Sequence, residues 1–117
     1  MRRALVTGGN RGIGKAIAAG LRDAGLDVVI AARDASEGAA AAGELGVSWV
    51  TMDLQDAQTI EAGLEAAGEI DVLVNNAGVL KDAPLFGENS DFFTAMDVMV
   101  QAPFVLIREG LPGMSAR

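Results

Sequence analysis

The sequence lacks three residue types that carry much of enzyme chemistry, since it has no cysteine, no histidine and no tyrosine. Without cysteine and histidine the chain cannot form a disulfide, a thiolate or imidazole metal site, or a nucleophile activated by an imidazole base. Without tyrosine it has no phenolic acid or base. We therefore predict no metal site and no catalytic residue within these 117 residues.

Positive charge is also scarce, with 9 lysines and arginines against 16 acids, a net charge of −7 and a pI near 4.4. This balance opposes binding to nucleic acid or to an anionic membrane, which both favour a basic surface. No apolar run has the length of a signal-peptide core or a membrane span. We expect no nucleic-acid partner, no membrane partner and a cytoplasmic location.

Short strand-like runs alternate along the chain with longer alanine-rich runs of helical period. Strands are predicted at residues 4–6, 28–31, 47–52 and 70–74. Helices are predicted from the first glycine turn to Gly25, over 36–45, and from a cap at Asp56 to Gly68. This alternation predicts an α/β fold, a doubly wound parallel sheet of about four strands in the order 3-2-1-4, in one small domain spanning 1–117.

Two helices have apolar positions that predict which face is buried. The first helix is expected to bury Ile13, Ile17, Leu21 and Ala24. A last helix is expected to begin at Ser90 and to kink at Pro103. Its apolar side carries Phe93, Met96, Val100, Phe104 and Ile107.

A glycine-rich segment, residues 7–14, joins the first strand to the first helix. In this context backbone N–H groups at the start of the helix form a phosphate-binding arrangement. Gly8 would make the turn, Gly12 would let a pyrophosphate approach the main chain, and Gly14 would let the helix pack on the strand. The alternatives are a glycine turn without a ligand and a P-loop, whose spacing fits up to Lys15. Ala16 lacks the hydroxyl that a P-loop needs for Mg²⁺.

The pattern Thr7-Gly8-x-x-x-Gly12-x-Gly14, joined to residues 75–78 (Asn-Asn-Ala-Gly) after the fourth strand, resembles the short-chain dehydrogenase/reductase family. The resemblance covers essentially the whole chain but only about the first half of a typical member. It implies a Rossmann-type domain of an oxidoreductase that transfers hydride between a nicotinamide dinucleotide and a small carbonyl or alcohol substrate.

The resemblance also implies which residues contact the dinucleotide. The three glycines of the turn would contact its pyrophosphate, and Asp53 would hydrogen-bond its adenine. The alternative for Asp53 is a turn residue before a helix, and for Asn75 and Asn76 a purely structural turn. The implied contacts are Thr7, Gly8, Asn10, Arg11, Gly12, Ile13, Gly14, Asp53, Leu54, Asn75, Ala77 and Gly78.

Two arginines indicate which dinucleotide is bound. An acid at the end of the second strand would accept a hydrogen bond from the ribose 2′-hydroxyl of NAD, but Ala32 stands there and Arg33 follows. Arg33 and Arg11 can offer guanidinium groups to a 2′-phosphate, as in NADP-preferring members of the family. We predict that NADP(H) is preferred over NAD(H). The alternative for Arg33 is a solvated charge or a partner of Asp34.

The family's catalytic serine and Tyr-x-x-x-Lys segment lie beyond the point where this sequence stops, and Met99 stands where members often have an asparagine. A thioether has no N–H donor and cannot replace the amide. Two hypotheses stay open: a partial NADP-binding domain of a longer enzyme, inactive alone, or a non-catalytic dinucleotide-binding or assembly module. An open edge at the fourth strand and the apolar last helix predict a homo-oligomer.

Overall fold

A computed structural model describes residues 2–77 and 101–115 of the protein. Strands and helices alternate in chain order, as the sequence predicts. The elements are β1 (Arg3–Thr7), α1 (Gly12–Asp23), β2 (Asp27–Ala32), α2 (Ala35–Leu45), β3 (Ser48–Thr51), α3 (Ala57–Ala67), β4 (Val72–Val74) and α4 (Ala102–Ser115).

The four strands form one parallel sheet in the order β3-β2-β1-β4, which confirms the predicted doubly wound α/β fold. In register, Ile30 of β2 lies between Val6 of β1 and Trp49 of β3, and Val6 also pairs with Val74 of β4. The fourth strand is shorter than predicted because it begins at Val72. Ile70 precedes the strand but is still buried in the core.

Helices cover both faces of the sheet at its centre, which explains why β1 and β2 are buried along almost their whole length, whereas the edge strand β3 is exposed at three of its four residues. Successive residues point to opposite faces, so Leu5 and Val29 contact one core cluster while Val6 and Ile30 contact the other. The first cluster lies under α3 and α4, and the second lies under α1 and α2. Burial of each such aliphatic side chain contributes about 1.5–3 kcal/mol, so these two clusters hold the layers together.

Arg3 ties three elements together at the amino end of the sheet. Its Nε donates to Asp27 Oδ2 over 2.7 Å, and its guanidinium also donates to the carbonyl oxygen of Ala67 over 2.6 Å. Its backbone N–H donates to Asp71 Oδ2 over 2.9 Å. These contacts fix β1 against the starts of β2 and β4, at the edge opposite to the predicted site residues.

The predicted apolar face of α1 is wrong at its two ends. Ile13 is 75% exposed, and Ala24 follows the helix and is exposed. The fully buried residues of α1 are Gly14 and Ala18. The helix starts so close to the Gly8 carbonyl group and the Asn76 side chain that only glycine fits at position 14.

The predicted face of α4 is also wrong among the described residues, because Ala102, Val105 and Leu106 are buried instead. Apolar residues occupy both sides of this helix, and periodicity alone does not decide which side packs. The other side is an exposed apolar stripe, formed by Phe104 (62% exposed), Ile107 (46%) and Leu111 (50%).

The helix α4 contains two prolines and two glycines within its bounds. Pro103 lies in the first turn of α4, just after Gln101, which is in a π-helical conformation. The predicted kink at Pro103 stays a prediction, because the residues before Gln101 lie outside the described part of the chain. The helix continues through Gly110 and Pro112 to Ser115. The predicted start at Ser90 lies outside the described residues.

Candidate functional site

The sequence-predicted site residues meet at one edge of the sheet. All four strands are parallel, so their carboxyl ends lie together. Ligands of open α/β sheets bind outside these ends, where the strand order reverses, here between β1 and β4. The residues that follow the strands at this edge are the glycine turn 8–11 after β1, Arg33 after β2, Asp53 after β3 and Asn75 after β4.

The glycine turn is built from close contacts and left-handed backbone. Gly8 and Gly12 have φ angles of 65° and 59°, which residues with a side chain rarely adopt. A Cβ on Gly14 would lie 2.3 Å from both Asn76 Nδ2 and the carbonyl oxygen of Gly8. A Cβ on Gly12 would meet nothing within 4 Å. Gly14 therefore allows close packing beneath the turn, whereas Gly12 leaves open space above it.

Thr7 and Asn76 attach the loop after β4 to the glycine turn. The buried Thr7 hydroxyl donates to the Val74 carbonyl oxygen over 3.3 Å and accepts from the N–H groups of Asn76 (3.1 Å) and Ala77 (3.2 Å). The Asn76 side-chain amide donates to the carbonyl oxygens of Thr7 and Gly8, each over 3.4 Å. The Thr7 hydroxyl is thus engaged inside the protein, and Asn76 positions the turn.

The amino terminus of α1 has no capping side chain. Its N-cap residue Arg11 is extended, makes no side-chain hydrogen bond to the helix, and no acid stands in the first turn. Backbone N–H groups at such a terminus are available to an anion, which the helix dipole also favours. The open space at Gly12 lies at this same terminus, so the turn fits the phosphate cradle that the sequence predicts.

Both arginines of the predicted 2′-phosphate site are exposed, and neither forms an ion pair within residues 2–77 and 101–115. The predicted alternative partner of Arg33, Asp34, uses Oδ1 to accept the N–H of Glu37 over 3.0 Å. Asn10 of the turn donates from Nδ2 to Glu37 Oε2 over 3.3 Å. The start of α2 therefore contacts the glycine turn directly.

Asp53 is held by a local network that sequence reasoning missed. Its Oδ1 accepts the N–H of Gln55 over 3.0 Å, as expected of a turn residue, and Oδ2 takes part in no hydrogen bond in the described part of the chain. The Thr59 hydroxyl accepts the N–H of Asp53 over 3.0 Å and lies 2.7 Å from the Asp53 carbonyl oxygen. Leu54 packs its side chain against the core.

Lys15 does not take the position that a P-loop requires. Its ammonium group pairs with Glu44 of α2 and not with the glycine turn, so the geometry gives no support to the P-loop alternative. Within the described ranges no group of three or more carboxylates could hold a metal ion, and no helix has the length and apolarity to cross a membrane. Gly78 and Met99 lie outside the described residues.

Comparison with known proteins identifies the family. The family model described as short chain dehydrogenase matches residues 2–117. An uncharacterized short-chain type dehydrogenase/reductase of Sinorhizobium fredii is 41% identical over 116 residues, which cover 97% of this chain and 46% of that protein. The chain belongs to the short-chain dehydrogenase/reductase family, and it spans about half the length of the curated relatives that it matches.

Solved structures agree with this assignment. A short chain dehydrogenase/reductase family protein superposes with a TM-score of 0.93 at 37% identity, covering 99% of this chain and 51% of that one. A metagenomic short-chain oxidoreductase in complex with NADP superposes with a TM-score of 0.85, also at 37% identity, covering 98% and 57%. The Rossmann-type fold predicted from the sequence is thereby confirmed.

Proposed function

We propose that this chain binds NADP(H) at the carboxyl edge of its sheet, as the cofactor-binding part of an oxidoreductase acting on a small carbonyl or alcohol. The observation that carries the proposal is the uncapped terminus of α1 behind a turn in which Gly14 contacts Asn76. A bound nicotinamide dinucleotide would supply the hydride chemistry. The chain's own residues bind and orient the cofactor.

The residues at the turn fit a pyrophosphate. The N–H groups of 12–14 would donate to its oxygens, and the open space at Gly12 would admit it. Ile13 presents an exposed apolar side chain at the same point, where it would cover the bound cofactor. Asn75, Ala77 and Gly78 would border the adenosine ribose, and Asn10 would contact the dinucleotide from the turn, as the family resemblance implies.

Three further side chains, those of Asp53, Arg11 and Arg33, would contact the adenosine half of the cofactor. The unused Oδ2 of Asp53 would accept from the adenine amino group, while Thr59 keeps the Asp53 backbone in place. Arg11 and Arg33, unpaired in the described part of the chain, would bind the 2′-phosphate, which favours NADP(H) over NAD(H). A similar structure solved with NADP supports this choice.

We further propose that these 117 residues have no turnover alone, because the chain has no tyrosine and spans about half the length of its relatives. The same observations favour the second candidate, a non-catalytic dinucleotide-binding module. The apolar stripe on α4 supports the predicted homo-oligomer. The cytoplasmic location stays a prediction from composition.

Thermal unfolding with and without NADPH or NADH tests the binding proposal. At a hundred times its dissociation constant a ligand adds about 2.7 kcal/mol of stability. We expect NADPH to raise the Tm clearly and NADH to raise it less. In the double variant Arg11→Ala, Arg33→Ala the preference for NADPH should be lost. A parent chain without a ligand-dependent transition, or a double variant that keeps the NADPH preference, would contradict the proposal.

A further inference from the structure

We infer that Glu37 is a specificity-determining residue that opposes the 2′-phosphate, so that the chain discriminates between NADP(H) and NAD(H) less than its two arginines alone would allow. The inference rests on the proposed function. It assigns a role at the ligand site to a side chain that no sequence motif singles out.

The position of Glu37 is fixed from two sides. Its backbone N–H is held by Asp34 Oδ1 at 3.0 Å, which places it in the first turn of α2, four residues after Arg33. Its Oε2 accepts from Asn10 Nδ2 at 3.3 Å, and Asn10 immediately precedes Arg11 in the glycine turn. The Glu37 carboxylate therefore lies between the two segments that carry the arginines of the 2′-phosphate site.

The formal charges around Glu37 indicate how its carboxylate would affect a bound 2′-phosphate. Arg11 and Arg33 supply two positive charges, and Asp34 and Glu37 supply two negative ones, so the formal charges at this corner cancel. The Asp34 carboxylate is used to cap α2. The cap hydrogen bond uses the backbone N–H of Glu37 and not its carboxylate. In the described residues the Glu37 carboxylate accepts a hydrogen bond from Asn10.

No nearby lysine neutralises Glu37 in the described part of the chain. Lys15, on the helix that follows the glycine turn, pairs with Glu44, which lies seven residues further along α2. Glu37 is exposed, so its charge acts through water and is screened by salt. A ligand with a 2′-phosphate meets this charge, whereas a ligand with a free 2′-hydroxyl carries no charge at that point.

Two small ligands separate an effect of Glu37 on the 2′-phosphate from an effect on the rest of the nucleotide. Adenosine 2′,5′-bisphosphate carries the 2′-phosphate, and 5′-AMP lacks it. Their dissociation constants are measured by calorimetry for the parent chain, for Glu37→Gln, and for the control Glu65→Gln, which removes the same charge from an exposed position of α3 that forms no ion pair in the described residues. We expect Glu37→Gln to tighten the bisphosphate about fivefold at low ionic strength and to leave 5′-AMP nearly unchanged. The gain should vanish at about 1 M salt.

The outcomes distinguish the inference from the function on which it rests. If the parent chain binds neither probe, the proposed cofactor site fails. If the parent binds both and Glu37→Gln leaves their affinity ratio unchanged, or changes both affinities equally, Glu37 is structural and the inference is overturned. An equal gain in Glu65→Gln would also overturn it, because the effect would then be one of net charge. Glu37→Asp, which keeps the charge, should show no gain.

Discussion

Three helices begin at the same edge of the sheet, but their amino termini are completed in different ways. At α2 and α3 an aspartate precedes the helix and accepts a backbone N–H over 3.0 Å, Asp34 from Glu37 and Asp56 from Gln58. At α1 the corresponding residue is Arg11, which makes no such bond. The termini of α2 and α3 each have a side-chain cap, whereas the terminus of α1, where we propose that an anion binds, has none.

Without a side-chain cap, the amino terminus of α1 lacks a stabilising hydrogen bond that α2 and α3 have. A capping side chain is worth about 1 kcal/mol, which α1 forgoes. In its place are glycines with left-handed backbone and an asparagine from a loop 68 residues away in sequence that fastens the turn. These features hold the N–H groups in place and keep side chains out of the space above them, as a binding site for phosphate requires.

The substitution Gly14→Ala should break this arrangement and have the largest effect on stability. Its Cβ would lie 2.3 Å from the Asn76 amide and from the Gly8 carbonyl oxygen, so the turn or the helix must move. We expect a loss of about 2–4 kcal/mol in the free energy of unfolding and loss of cofactor binding. Denaturant unfolding and titration with NADPH measure the two effects.

Gly20→Ala is the matched control for this prediction. It lies on the same helix, and its added Cβ meets nothing within 4 Å. Because alanine favours helix over glycine, we expect it to stabilise the chain by about 0.5–1 kcal/mol and to leave binding unchanged. Equal effects of the two substitutions would contradict the close contact between Gly14 and Asn76.

The substitution Asp56→Ala removes the side-chain cap of α3. It removes the acceptor for Gln58 N–H and should cost about 1 kcal/mol of unfolding free energy. The stabilisation by NADPH should stay the same, because this cap serves α3 alone. Asp56→Asn keeps an acceptor oxygen and should cost less. A loss of cofactor binding without a loss of stability in Asp56→Ala would show that Asp56 belongs to the site.

The parts predicted from sequence are those encoded by local patterns. The strand order, the cap at Asp56 and the glycine turn each depend on residues within a few positions of one another or on the repeated alternation of strands and helices. Arg11 and Arg33 were identified in the same way, Arg11 by its place immediately before Gly12 and Arg33 by its place at the end of the second strand. The structure puts all of these at one sheet edge, and their ligand contacts stay predictions.

The parts that were missed depend on contacts distant in sequence or on the choice between helix faces. The Asn76 side chain contacts Gly8 of the glycine turn, 68 positions away in sequence, and no spacing rule shows which amide will turn inward. Periodicity indicated Ile13 and Phe104 as packed positions, but both are exposed. In α4 apolar residues stand on two sides, and only packing against α3 and the sheet selects Leu106. Tertiary contacts decided these cases.

The substitution Arg11→Asp sharpens the comparison, because it gives α1 the same kind of cap as its neighbours. The new carboxylate should accept a free N–H of the first turn and interact favourably with the helix dipole. We expect a small gain of about 0.5 kcal/mol in unfolding free energy and loss of NADPH binding, since a fixed anion would occupy the place of the pyrophosphate. Arg11→Ala, which adds no acceptor, should leave stability unchanged and weaken NADPH more than NADH. If Arg11→Asp still bound NADPH as the parent does, the α1 terminus would not be the phosphate site, and the difference between the helices would have a purely structural origin.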